Sequence, residues 1–281
     1  MFEFPVGTVL IKTFAFAADM RRPAENVRFL ETRLLIRRPE GWIALPYVWD
    51  DDQTEARLSV IGAQVPVNFT DEQGVAIALD WSVPNVNQCR GCHARAGGND
   101  VLPIGPSARN LNRVGFVIPG ESRIVPNPPD QIINQLDDWR DRGLLSGAPR
   151  DANEAPRVPH AFSSDGTLEQ RARAYLDVNC AHCHNPAGPA RTSGLDLRWS
   201  QTDPALWGVF KRPIAAGRGS GDMNFAIEPG HPERSILVHR MASTDAGVMM
   251  PELGRTLIDE RGVQLIRSWI AQMDDNGRSP D

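Results

Sequence analysis

Residues 1 to about 82 carry the short period of strands. Val9, Ile11, Phe14 and Phe16 open a run rich in β-formers, and Arg28-Leu30-Thr32-Leu34-Ile36 alternates against Phe29-Glu31-Arg33-Leu35-Arg37. That alternation predicts a half-buried strand. Pro39-Glu40-Gly41 signals a turn, and Trp42-Ile43-Ala44-Leu45 resumes the pattern, so a hairpin is expected. Leu58 to Ile61, Gly62-Ala63 and Val65 to Phe69 predict a second hairpin, and Val75 to Trp81 a further strand.

From Val83 the pattern loses its period, as Asn, Gly and Pro crowd the chain up to Pro129. A 3.6-residue period returns with Ile132, Ile133, Leu136 and Trp139, which predicts a helix starting near Asp130 and stopping at Gly143. Residues 145–166 are polar and rich in Pro and Gly, as in a linker. Thr167-Leu168-Glu169-Gln170 has the form of a capping box, and Leu168, Ala172, Tyr175 and Leu176 share the face of the helix that follows. Val263, Ile266, Trp269, Ile270 and Met273 predict a closing helix. The expected fold class is α+β: a β-rich N-terminal domain (1–144) ending in the first cysteine motif and one helix, a linker (145–166), and an all-α domain (167–281).

The net charge of −5 excludes a general nucleic-acid binder, which would need a basic face. No apolar run reaches the length of a membrane span.

The chemistry lies in the four cysteines. They form two motifs, Cys89-Arg90-Gly91-Cys92-His93 and Cys180-Ala181-His182-Cys183-His184. Cys-x-x-Cys-His is the attachment signature of c-type haem. Two thiols two residues apart on one turn can add to the two vinyl groups of one porphyrin. The histidine that follows then lies below the ring, where it can ligate the iron. Zinc bound by four cysteines would leave both trailing histidines unexplained. With six histidines in 281 residues, their placement after both pairs by chance is about a one-in-two-thousand event for so diagnostic a signature. Two disulfides across such short gaps would staple little. Two covalently attached haems, and with them iron, are therefore expected, with Cys89, Cys92, Cys180 and Cys183 as attachment points and His93 and His184 as proximal ligands.

A methionine thioether is a common sixth ligand. Met250, before Pro251 in a loop between helical stretches, is the preferred candidate for the second iron, with Met249 as its near alternative; Met241 and Met273 read as core and Met223 as a further candidate. The first iron has no evident partner: His160 reads first as a solvated loop histidine and only second as a ligand, and Met20 or a methionine of the last domain are the other candidates. Arg90 and His182, inside the motifs, read as rim residues.

From Thr167 to Met273 the chain resembles a class I cytochrome c: a helix running into Cys-x-x-Cys-His, a central Met-Pro and a closing helix with an aromatic residue. The whole chain also resembles a bacterial family of diheme c-type cytochromes, through residues 5–14, 31–35, 84–89, 104–112, 171–176 and 250–254. The resemblance implies electron transfer in the periplasm, redox partner proteins, and a chain that begins inside a longer exported precursor. A diheme peroxidase, or the cytochrome module of a larger oxidoreductase, is the alternative, and an iron lacking its sixth protein ligand would be its mark.

Overall fold

The computed structural model describes residues 2–94, 98, 100–113, 134–214 and 216–279. The chain divides into two units, one of residues 1–86 with 103–158, the other of residues 87–102 with 159–281. The segment carrying the first motif thus belongs with the second unit, whereas its place in the sequence grouped it with the β-rich region.

In the first unit, β1 (Val9–Ala17), β2 (Val27–Arg38), β3 (Gly41–Trp49) and β4 (Ala56–Leu58) form an antiparallel meander in that order. The turn at Pro39-Glu40 joins β2 to β3 with Arg38 opposite Gly41, as the alternation predicted. β5 (Ala63–Thr70) and β6 (Ala76–Val83) form a second, two-stranded sheet. The hairpin expected across Gly62 is corrected here: β4 pairs with β3, and β5 pairs with β6. A turn in which the Gly62 amide donates to Ser59 O (3.0 Å) and Ser59 Oγ donates to Gly62 O (2.9 Å) redirects the chain, with Gly62 at φ +80°. That conformation lies in the region glycine tolerates.

Alternation along β5 sends Val65, Val67 and Phe69 into a core with Leu30 and Val83. Met20 packs against that core, which accounts for this candidate ligand as a packing residue. Glu31, wholly buried, is matched by the Arg33 guanidinium at 2.5 and 2.9 Å and by the Trp81 indole N–H at 3.1 Å. A buried carboxylate needs such partners, because its desolvation would otherwise cost several kcal/mol. α2 (Ala108–Leu111) and α3 (Gln135–Asp141) complete the unit. Asn134 caps α3, its side chain accepting from the Leu136 amide; Asp130, Ile132 and Ile133, which the periodicity assigned to this helix, lie outside the described residues. Part of the stretch read as a linker is ordered: Asn112 Nδ2 donates to Ala152 O (2.7 Å) and Ala155 O (3.0 Å), and Val158 is buried.

The second unit holds α1 (Val86–His93, from Asn87 on), α4 (Leu168–Asn179), α5 (Pro204–Trp207), α6 (Ile236–Met241) and α7 (Glu260–Ala271). The capping box forms as read: the Gln170 amide donates to Thr167 Oγ1, and Gln170 Oε1 accepts from the Thr167 amide. Ala172 and Leu176 of α4 meet Val263, Ile266, Trp269 and Ile270 of α7 in the core, with Trp207 6.5 Å from Trp269 between ring centres.

The expected all-α, cytochrome c-like domain is overturned. The protein is β-rich, with two antiparallel sheets, and none of the seven α-helices among the described residues exceeds 12 residues. Between α4 and α6 the chain runs mainly as loops, 3-10 turns and isolated bridges, Val209 with Ile227 and Phe225 with Ser235. Pro186, Pro189, Pro204, Pro213, Pro229 and Pro232 interrupt any long helix there. Gly208 ends α5 at φ +118°, where a side chain would be strained.

Candidate functional site

α1 follows Pro84-Asn85 and carries Cys89 and Cys92 three residues apart, a spacing that puts both thiols on one helix face. His93 is the last residue of α1. Its Nδ1 lies 2.7 Å from Leu102 O, and the Leu102 amide donates to His93 O at 2.7 Å. A carbonyl oxygen only accepts, so Nδ1 carries a proton, and in the neutral imidazole Nε2 carries the lone pair.

The second motif begins where α4 ends. The amides of Cys180 and Ala181 donate to Leu176 O, and those of Cys183 and His184 donate to Cys180 O. These bonds wrap the two cysteines and the histidine into one compact turn. His184 Nδ1 lies 2.9 Å from Ser193 Oγ. The Ser193 hydroxyl donates to Ala190 O (2.8 Å) and accepts from the Leu195 amide (3.2 Å), so toward His184 it acts as acceptor. His184 therefore also holds its proton on Nδ1. Burial, with Arg240 and His182 nearby, lowers its pKa to about 4, which keeps the imidazole neutral near pH 7. Burial also pushes the Cys180 thiol up to about 12.

A cavity of about 470 Å³ opens beside this turn, within the range of small-molecule and cofactor sites. Cys180, Cys183 and His184 line it together with apolar Leu195, Leu197, Trp207 and Ile236. Met250 lies on its wall as well. The Met250 amide donates to Arg240 O (3.0 Å), and Arg240 Nε donates to Val248 O (2.8 Å), so α6 holds the loop that presents the thioether. Four cations, Lys211, Arg212, Arg240 and Arg255, line the cavity against two carboxylates, Glu252 and Asp259, and Glu252 lies 3.6 Å from Arg240. Arg255 Nη1 donates to Met241 O (2.6 Å), yet its buried Nε has no acceptor. Buried donors are normally matched. An apolar cavity with an orphan guanidinium N–H fits a ligand that combines a wide apolar face with its own carboxylates. Two thiols on one turn, a neutral imidazole offering Nε2 and a thioether complete a donor set suited to a covalently attached haem.

The two motifs meet within the second unit. Cys92 Sγ, Cys183 Sγ and a ring nitrogen of His182 all lie within 4.8 Å of one another, the only such group of three Cys, His, Asp or Glu donors among the described residues. Cys183 Sγ also approaches Gly91 O at 3.9 Å, and a Cβ at Gly91 would sit 3.2 Å from Leu253 Cδ1. The hydrogen bond between the sulfurs, with His182 beside it, draws the Cys92 thiol well below its ordinary range and drives Cys183 up. None of the four cysteines is in a disulfide.

The remaining candidates take other places. Met241 and Met273 belong to the hydrophobic core, as their periodicity indicated. Met249, whose amide donates to Asp245 O (2.9 Å), does not line the cavity, and Met223 borders a separate, open depression with His239 and Arg267. His160 is exposed; its Nδ1 accepts from the Phe162 amide at 3.2 Å. Arg90 is exposed on α1, while His182 stands between the two motifs. Sequence reasoning missed Ser193, the Leu102 carbonyl and Arg255. No residue spacing announces a hydroxyl nine positions after its histidine. The orphan Nε of Arg255 emerges only from the packing.

No family model, curated protein or solved structure matches the chain. No helix among the described residues is long and apolar enough to cross a membrane.

Proposed function

We propose that this chain is a diheme c-type cytochrome of the periplasm or another exported compartment, which passes electrons between redox partner proteins. Cys89 with Cys92, and Cys180 with Cys183, are the thioether attachment points. His93 and His184 are the proximal ligands, and Met250 is the distal ligand of the second iron. The bacterial diheme family that the sequence resembles is part of the same proposal. The observation that carries it is the hydrogen bonding of the two motif histidines. Each commits Nδ1–H to an acceptor and turns its ligating nitrogen, Nε2, into a lone-pair donor.

Haem supplies an iron that cycles between ferrous and ferric states. The chain's residues do the rest. The thiols fix the ring edges, and the Nδ1 acceptors hold both imidazoles in one tautomer. Leu195, Leu197, Trp207 and Ile236 would shield the second site from water, and Arg255 with Arg240 would offer charge to the group's carboxylates.

The test uses the exported full-length chain. A haem stain that survives denaturation and a mass increase of two haems are expected, as is the long-wavelength methionine–iron charge-transfer band in the oxidised spectrum. Met250→Ala should abolish that band and Met249→Ala should leave it. Four sulfurs found bonded to one another or to zinc in exported material would overturn the reading. Turnover of peroxide with an electron donor would instead favour the diheme peroxidase.

A further inference from the structure

We infer that Cys92 and Cys183 bring the two attachment edges together as one seam, so that the two haems exchange electrons directly and act as a coupled pair. This rests on the attachment proposed above and goes beyond it. Two Cys-x-x-Cys-His motifs in one chain could serve two isolated centres. Here they do not stand apart: the second cysteine of each motif faces the other, with both sulfurs and the His182 ring inside 4.8 Å. A thioether joins each sulfur to a carbon borne on the edge of its own porphyrin. Neighbouring sulfurs therefore mean neighbouring ring edges.

Three features make the approach a property of the fold. Residue 91 is glycine where α1 passes close to the Leu253 side chain of the Met250–Gly254 loop: a Cβ there would stand 3.2 Å from Leu253 Cδ1. Cys183 Sγ also reaches the backbone of α1, with Gly91 O at 3.9 Å. Gly91 and Cys92 also line the same cavity as Cys180, Cys183, His184 and Met250, so the first motif forms part of the wall of the second site. The exchange itself is simple in its accounting. One electron leaves a ferrous iron, which becomes ferric, and the other iron goes from ferric to ferrous. No bond or proton changes, and the electron first enters from an external one-electron reductant.

Circular dichroism in the Soret region tests the inference on the exported holoprotein, after its haems have been counted by mass. Two neighbouring haems give a two-signed couplet, which the one-haem variants Cys89→Ala/Cys92→Ala and Cys180→Ala/Cys183→Ala should lose. A second measurement needs no variant. Dithionite is added stepwise, and the couplet should shrink at half reduction, where the ferrous and ferric Soret bands differ in energy, and return at full reduction. A protein with two haems, a Soret spectrum equal to the sum of the one-haem spectra and no change of this kind on stepwise reduction would overturn the seam while leaving the attachment intact. A count other than two haems would bring down the attachment and the seam together.

Discussion

At the scale of single residues, the two motif histidines differ in what holds them. His93 donates to a backbone carbonyl, which mutation of Leu102 cannot remove, whereas His184 donates to the Ser193 hydroxyl, which it can. An acceptor on Nδ1–H raises the basicity of Nε2 and favours the more highly charged metal. Ser193→Ala is therefore expected to raise the midpoint potential of the haem proposed at His184 and Met250, while Ser193→Thr keeps the hydroxyl and holds the potential near that of the parent. Potentiometric titration followed at the Soret band checks both. Because Ser193 also bonds Ala190 O and the Leu195 amide, the alanine variant should lose about 1–3 kcal/mol of stability. The threonine control separates this loss from the electronic effect, since an unmoved potential in Ser193→Ala would reject the positioning role. The two Cys-x-x-Cys-His motifs and the Met-Pro pair could be picked out as candidates from the sequence, because their spacing is local, and the structure lines one cavity with Cys92, Cys180, Cys183, His184 and Met250. Ser193 could not be picked out, because its role depends on how the 3-10 turn at residues 191–193 folds back on His184.

At the scale of elements, the contact between α4 and α7 turns on one carboxylate. Asp259 caps α7, with Oδ1 accepting from the Gly262 amide (2.9 Å) and Oδ2 from the Tyr175 hydroxyl on α4 (2.8 Å). A Cβ at residue 262 would stand 2.3 Å from the Tyr175 oxygen, so only glycine fits beneath the phenol. Gly262→Ala should then destabilise the unit by about 1–3 kcal/mol through overpacking, although alanine is the better helix former. Chemical denaturation would show it, and an unchanged or raised midpoint would refute the close fit. The same clamp sets a pH limit. Burial first, then the hydrogen bond to Asp259, raises the Tyr175 pKa above its ordinary 10.0. The folded chain keeps a proton that the unfolded chain releases, so this contribution is fully present below pH 10 and declines as pH rises above it. Tyr175→Phe should start about 1 kcal/mol less stable than the parent at neutral pH and then show a shallower alkaline decline. Equal alkaline slopes in parent and variant would count against it. Strands and caps here were legible, since alternation and Thr-x-x-Gln are local signals. The pairing of β4 with β3 and the short helices between α4 and α6 were not, because partner choice and turn direction depend on distant contacts.

At the scale of the whole molecule, the chain crosses between its units three times, near residues 86, 102 and 158. Each unit keeps its own core: Leu30, Val65, Val67, Phe69 and Val83 in the first, and fifteen buried residues around Trp269, Ile266 and Ile270 in the second. Every residue of the second core lies between Ala172 and Met273. The segment 87–102 adds a wall to the cavity through Gly91 and Cys92 but supplies none of that core. An exported fragment of residues 159–281 is thus expected to fold, since burial of apolar surface, and not the first motif, supplies most of its stability. It should carry one haem, with His184 and Met250 as ligands, and retain the methionine–iron band. With the wall at Gly91 and Cys92 removed, water reaches the ring edge. The cost of charging the iron in an apolar cavity falls, so the midpoint potential of the remaining haem should drop relative to its value in the full chain. Mass, far-ultraviolet circular dichroism and redox titration together decide the matter. A fragment that stays unfolded would show that residues 87–102 are needed for the core itself, and a potential equal to the parent's would show that the first motif does not shelter the second.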